Sequence, residues 1–153
     1  MNKEVVLITG ASSGIGKVCA EFLSQRGYGV YRASRSLPDD LSKGTICMNV
    51  DEDEAVSSAI ERLVQKEGRI DCVVNCAGFG IAGAVEDTSI EEAKAQLETN
   101  FFGVLRVCKA VLPLMRQQRS GLIVNVSSIA GLVSLPFQGF YSASKFALEG
   151  AQL

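Results

Sequence analysis

The chain has 153 residues, of which 47% are hydrophobic and 21% charged, with a net charge of −2 and no histidine. That length suits one domain. The lack of any basic run excludes a phosphate-backbone binder, so no nucleic-acid partner is expected. Without histidine, a Ser-His-Asp hydrolase is excluded and no metal site is expected.

The N-terminal "MNKEVVLITG" reads as a short strand and lacks the apolar stretch of a signal peptide. No apolar run reaches the roughly 18 residues of a membrane span. The expected location is cytoplasmic, with no membrane partner. The five cysteines, Cys19, Cys47, Cys72, Cys76 and Cys108, fall in apolar segments. They read as small buried hydrophobes in a reducing compartment.

In chain order, "EVVLITG" is a strand ending in glycine. "GIGKVCAEFLSQRG" follows as a helix, with Ile15, Val18, Cys19, Phe22 and Leu23 at helical spacing and Gly27 closing it. "GVYRASR" and "GTICMNV" are the second and third strands. "DEDEAVSSAIERLVQKEG" is a helix with acidic residues at its start and a stripe of Val56, Ile60, Leu63 and Val64. "IDCVVNCAG" is the fourth strand. Thr88 and Glu91 have capping-box spacing and open a long helix towards Arg116. "GLIVNVSS" is the fifth strand, and the last helix begins near Tyr141. Strands alternating with helices predict an α/β fold: a doubly wound parallel sheet in three αβα layers, one Rossmann-like domain over 1–153. The continuous apolar strands agree, because a sheet covered on both faces has no polar side.

"TGASSGIG", residues 9–16, lies between the first strand and the first helix. Gly10 permits a tight turn, Gly14 lets backbone approach a diphosphate, and Gly16 lets the helix pack close to the sheet. The helix start offers unpaired N–H groups to an anion. Ser12, Ser13 and Ile15 lie among these glycines and are counted with them as cofactor contacts. Nucleotide binding is the reading, against that of a plain glycine-rich turn.

The spacing Gly-x-x-x-Gly-x-Gly resembles the short-chain dehydrogenase/reductase family, and the resemblance runs the length of the chain. "NCAG" at 75–78 is similar to that family's Asn-Asn-Ala-Gly, with Cys76 a departure. "NFFG" at 100–103, "NVSS" at 125–128 and "YSASK" at 141–145 resemble its helix asparagine, active-site serine and Tyr-x-x-x-Lys. The resemblance implies that Asn49 and Val50 flank an adenine and that Asn75, Ala77 and Gly78 line the cofactor site. At the end of the second strand, the acid that holds the ribose 2′-OH in NAD-binding domains is replaced by Ser34, followed by Arg35. A hydroxyl and a guanidinium welcome a 2′-phosphate, so NADP(H) is expected over NAD(H); the other reading of Arg35 is a solvated loop residue.

Tyr141 and Lys145 stand four residues apart, on one helical face. An ammonium there favours the phenolate, which gives an acid/base without histidine. Ser128 precedes Tyr141 by 13 residues, at the carboxyl end of the fifth strand. The resemblance implies a hydride transfer between nicotinamide and a carbonyl or secondary alcohol. Tyr141 is then the general acid/base and Ser128 donates to the substrate oxygen. Lys145 tunes the tyrosine and holds the ribose, and Asn100 positions a water. "LPFQGF" reads equally as pocket lining or core. The alternative function is a cofactor-binding regulatory or inactive fragment, or an oligomerisation module.

The resemblance also implies a homodimer or homotetramer. Its contacts are expected on the helix at about 89–116, through Val104, Val107, Cys108 and Val111, and on the helix from Tyr141. "FALEGAQL" carries no helix stop signal, so the chain is expected to be the N-terminal part of a longer enzyme, without the C-terminal strands and substrate segment.

Overall fold

The apolar runs form one parallel sheet. In the computed structural model, which describes residues 3–151, its strands are β1 (Val5–Thr9), β2 (Gly29–Ser34), β3 (Thr45–Cys47), β4 (Cys72–Asn75) and β5 (Leu122–Asn125). Their order is β3-β2-β1-β4-β5, with every pair parallel. The helices are α1 (Gly14–Gln25), α2 (Asp53–Glu67), α3 (Ile90–Leu97), α4 (Gly103–Gln118) and α5 (Gly139–Gly150). All five residues of β1 are buried. Val5 and Leu7 pack with Val56, Ile60 and Leu63 of α2 and Val107, Val111 and Met115 of α4. Val6 and Ile8 point the other way, onto Cys19, Ala20 and Leu23 of α1. A period-two strand covered on both sides must be apolar throughout.

The ends of these strands fix the site. β1 and β4 are neighbours, yet the chain leaves β1 into α1 on one face and runs from β4 towards helices on the other. A crevice opens at such a divergence, beyond the carboxyl ends of the strands.

Three expectations need correction. The apolar face of α1 is divided: Ala20 is buried, but Ile15, Val18 and Phe22 are 68%, 64% and 50% exposed. Cys19, Ala20 and Leu23 are the side chains turned to the sheet, against Val6, Ile8 and Val74, and the rest of the stripe lies beyond that contact. The capping box is Ser89 with Glu92, not Thr88 with Glu91. Glu92 N–H donates to Ser89 Oγ at 3.2 Å and Ser89 N–H donates to Glu92 Oε2 at 2.9 Å. Both pairs have the same spacing; Thr88 belongs instead to the preceding turn, its N–H and hydroxyl both donating to the Ala84 carbonyl, while Ser89 takes the extended backbone of a cap. The long helix is not uniform, since Glu98–Phe102 form a π-helical turn between α3 and α4. Such turns are rare and cluster at functional positions.

Val104, Val107, Cys108 and Val111 are all buried within the chain itself. They fill the space beneath β4 and β5 and offer no surface to a second copy, so the argument for self-association through them does not hold. The last helix ends at Gly150; its expected continuation into Gln152 and Leu153 lies outside the described residues. No helix among the described residues is long and apolar enough to cross a membrane.

The corrected cap gives a direct test. Ser89→Ala should cost about 1 kcal/mol of stability, whereas Glu91→Ala should cost less than half of that. Urea denaturation of the two variants side by side measures the difference.

Candidate active site

The glycine loop is shaped by contacts that leave no room for side chains. Gly10 adopts φ +63°, and a Cβ there would lie 2.7 Å from Ala77 N and Cα. A Cβ on Gly16 would meet the Gly10 carbonyl oxygen at 2.7 Å. Thr9, buried at the end of β1, accepts from the N–H groups of Cys76 and Ala77 at 3.2 and 3.1 Å. The loops after β1 and β4 are therefore clamped together. Ser13 precedes α1 in an extended conformation, makes no side-chain cap, and the first turn carries no acid. The N–H groups of that turn keep their capacity for an anion.

Most of the expected cofactor residues line one crevice of about 520 Å³: Gly10, Ser12, Ser13, Gly14, Ile15, Gly16, Ser34, Arg35, Asn49, Val50, Ala77 and Gly78. Asn75 does not line it; its amide nitrogen donates to Asn125 Oδ1 at 2.9 Å and ties β4 to β5. Asp51, Phe79 and Thr99 line the crevice as well and were not anticipated. Asp51 follows the expected adenine pair and carried an overlooked charge signal; Phe79 and Thr99 had none.

At the adenosine end, Ser34 Oγ donates to Ser12 Oγ at 3.0 Å and lies 3.2 Å from Ser36 Oγ. Arg35 stands 4.0 Å from the Asp51 carboxylate and is largely exposed. Three linked hydroxyls and an exposed guanidinium thus stand at this end. Asn49 holds Glu52 through its amide nitrogen at 2.7 Å and accepts from Asp51 N–H at 3.3 Å. The close helix contact behind this end requires Gly103, where a Cβ would meet Val50 Cγ2 at 2.8 Å.

At the other end stands α5. Tyr141 is its third residue, and its ring lies 3.4 Å from where a Cβ on Gly80 would sit. Lys145 is buried, with Nζ 2.9 Å from the Val126 carbonyl oxygen and 5.9 Å from the centre of the Tyr141 ring. The same Nζ is 3.9 Å from a Cβ position on Gly78, which lines the crevice; Lys145 and Tyr141, expected among the cofactor contacts, stand behind that lining and are not part of it. Ser128 caps the 3₁₀ turn Ile129–Gly131 by accepting from Ala130 N–H at 3.1 Å, and that turn packs on α5. Ser127 Oγ is buried without a partner. Asn100 lies in the π turn, fully buried, and its amide contacts the backbone of Phe79 and the Ser144 hydroxyl rather than Lys145.

Burial pushes the Lys145 ammonium below its ordinary range, with the Cys76 and Glu149 side chains acting in the opposite direction. Burial pushes the Cys76 thiol up to about 11, and raises Cys72 and Cys108 as well. The expectation of buried cysteines holds only for Cys108; Cys19, Cys72 and Cys76 are half-buried and Cys47 is exposed. No group of three metal-ligating side chains occurs among the described residues.

A family model described as short chain dehydrogenase matches residues 4–152. The chain belongs to the short-chain dehydrogenase family. It is 48% identical over 151 residues to a 3-ketodihydrosphingosine reductase of Bacteroides thetaiotaomicron, a match covering 98% of this chain and 56% of that protein. It is 38% identical to the bovine retinol dehydrogenase 8, covering 95% of this chain and 51% of that protein. Among solved structures, ElxO with NADP bound superposes with a TM-score of 0.90 at 31% identity, over 97% of this chain and 64% of that one. The chain spans about half the length of the curated relatives it matches.

The raised thiol has a pH consequence. Cys76 stays protonated in the fold, while an unfolded thiol ionises from about 8.5. Its stabilising contribution is complete below that pH and is lost as pH rises through about 11. The unfolding midpoint should fall across that window, and the fall should be shallower in Cys76→Ala. Thermal melts at closely spaced pH values check it.

Proposed function

We propose that the chain is the cofactor-binding and catalytic part of an NADP(H)-dependent oxidoreductase acting on a carbonyl or secondary alcohol borne on an apolar skeleton. The observation that carries this reading is Lys145. A buried ammonium costs several kcal/mol, yet this one is held beside Gly78 of the nucleotide crevice, one turn from Tyr141. A lysine kept there for stability alone would be a poor choice.

The residues present fit a dinucleotide. The glycine cradle between Gly10 and Ala77 would take the diphosphate, with the α1 N-terminus supplying N–H donors. Ser12, Ser34, Ser36 and Arg35 would take a 2′-phosphate, and no carboxylate stands at Ser34 to repel it. The NADP-bound structural neighbour supports that choice. A bound nicotinamide supplies or accepts the hydride. The protein's own part is proton handling and orientation. Tyr141 gives its phenolic proton to the carbonyl oxygen as charge develops there, and the reverse direction returns it. Ser128 donates to the same oxygen. Lys145 spends one of its three donors on Val126 and keeps the others for ribose hydroxyls and for the field at Tyr141.

The apolar substrate follows from the surroundings of Tyr141. Ile129, Leu132, Val133 and Phe137 are large, hydrophobic and exposed, and all belong to the segment between Ser128 and Tyr141. Phe79 and Val85 add to them. Relatives named for a ketosphingoid and for retinol agree with long apolar substrates. A homo-oligomer remains part of the proposal only through surfaces other than the buried face of α4.

Two measurements test this in the complete gene product. Tyr141→Phe should lower kcat by about 10³-fold or more while NADPH affinity stays within about twofold, since only the proton donor is removed. Near-parental turnover would end the reading. Arg35→Asp should weaken NADPH and strengthen NADH, read by fluorescence titration; equal parental affinities for the two cofactors would contradict the 2′-phosphate site.

A further inference from the structure

Proton transfer from Tyr141 requires its hydroxyl to be held within a fraction of an ångström of the productive position. The start of α5 does little to provide that. Gln138 makes no side-chain cap, and the first turn carries no acid. Tyr141 lies within this weakly capped turn, so something beyond the helix must fix it.

Ser144 occupies the place where such a constraint acts. It is fully buried, one residue before Lys145 and three after Tyr141. Its hydroxyl donates to the Tyr141 carbonyl at 2.7 Å and accepts from Asn100 Nδ2 at 3.0 Å. Asn100 Nδ2 also donates to the Phe79 carbonyl at 2.8 Å, and its Oδ1 accepts from Phe79 N–H at 2.9 Å. Gln96, also fully buried, donates to the same Phe79 carbonyl at 3.2 Å. A continuous buried chain therefore runs from the cofactor loop, through the π turn, to the backbone of the tyrosine.

We propose that Ser144 is a positioning residue for the reaction, holding Tyr141 and Lys145 in register with the loop after β4 by way of Asn100. The proposal rests on the reading of Tyr141 as the acid. A hydroxyl is required because the position needs a donor and an acceptor at one atom. Alanine supplies neither. One buried Asn100 N–H would then lose its partner, and α5 or the Phe79 loop must shift to relieve it. A bond from a serine to the carbonyl three residues earlier also sets the local bend of a helix. Its loss changes the distance between the ammonium and the phenol, and with it the field that the phenol feels.

The test uses the complete gene product with a ketone substrate, comparing Ser144→Ala and Ser144→Cys. The thiol is close to the hydroxyl in size and is a weak donor and acceptor. Ser144→Ala should lower kcat by about 10- to 100-fold, leave KM for the ketone and the NADPH Kd within about threefold, and move the midpoint of the kcat–pH profile by about half a unit or more. Ser144→Cys should fall between parent and alanine on both readouts. If Ser144→Ala does not fold, the cysteine variant alone carries the test, with a reduced kcat and a displaced profile expected. Parental kcat in either variant, or a loss with an unmoved pH profile, would overturn the role. Failure of the underlying reading shows separately, as turnover retained in Tyr141→Phe.

Discussion

Everything in this site depends on the clamp between the loops that follow β1 and β4. Thr9 receives two N–H groups from the β4 loop, and Gly10 lies against Ala77 so closely that no side chain fits between them. The loop that leaves this clamp lies against Lys145 at Gly78, Tyr141 at Gly80 and Asn100 at Phe79. The glycine loop and α5 are thus joined through one packed arrangement.

The fold was legible because it rests on two strong periodicities. Buried strands must be apolar on both sides, and the helices between them carry apolar stripes at helical spacing; Gly10 and Gly16 stand where neighbouring backbone leaves no room for a Cβ. What the sequence hid follows from competition between equivalent local patterns. Thr88 and Ser89 each have an acid three residues on, and only the turn before them, which occupies the Thr88 hydroxyl, decides between them. The stripe on α1 has correct helical spacing, but spacing does not say how far the sheet extends beneath it. The π turn at Glu98–Phe102 has no compositional signal, because its register is set by Asn100 reaching back to Phe79. Of the site's geometry, the placing of the glycine loop and Arg35 at one crevice and of Tyr141 and Lys145 on one helix was readable from residue types at fixed spacing. The contacts of Asp51, Phe79 and Ser144 were not, since they join distant segments.

Apolar surface remains along one side of the molecule. Leu122 and Val124 of the edge strand β5 and Ile15, Val18 and Phe22 of α1 are exposed on the described chain. The relatives it matches are about twice as long.

The central claim is that this crevice brings a hydride donor and a proton donor to one carbonyl group. Isotope transfer tests it most directly. The complete gene product, given NADPH deuterated at the reactive nicotinamide carbon and a long-chain ketone, should place deuterium on the carbinol carbon of the alcohol. Mass spectrometry of the product reads the label. Alcohol formed without label, or cofactor bound with no transfer to any ketone or aldehyde, would contradict the account.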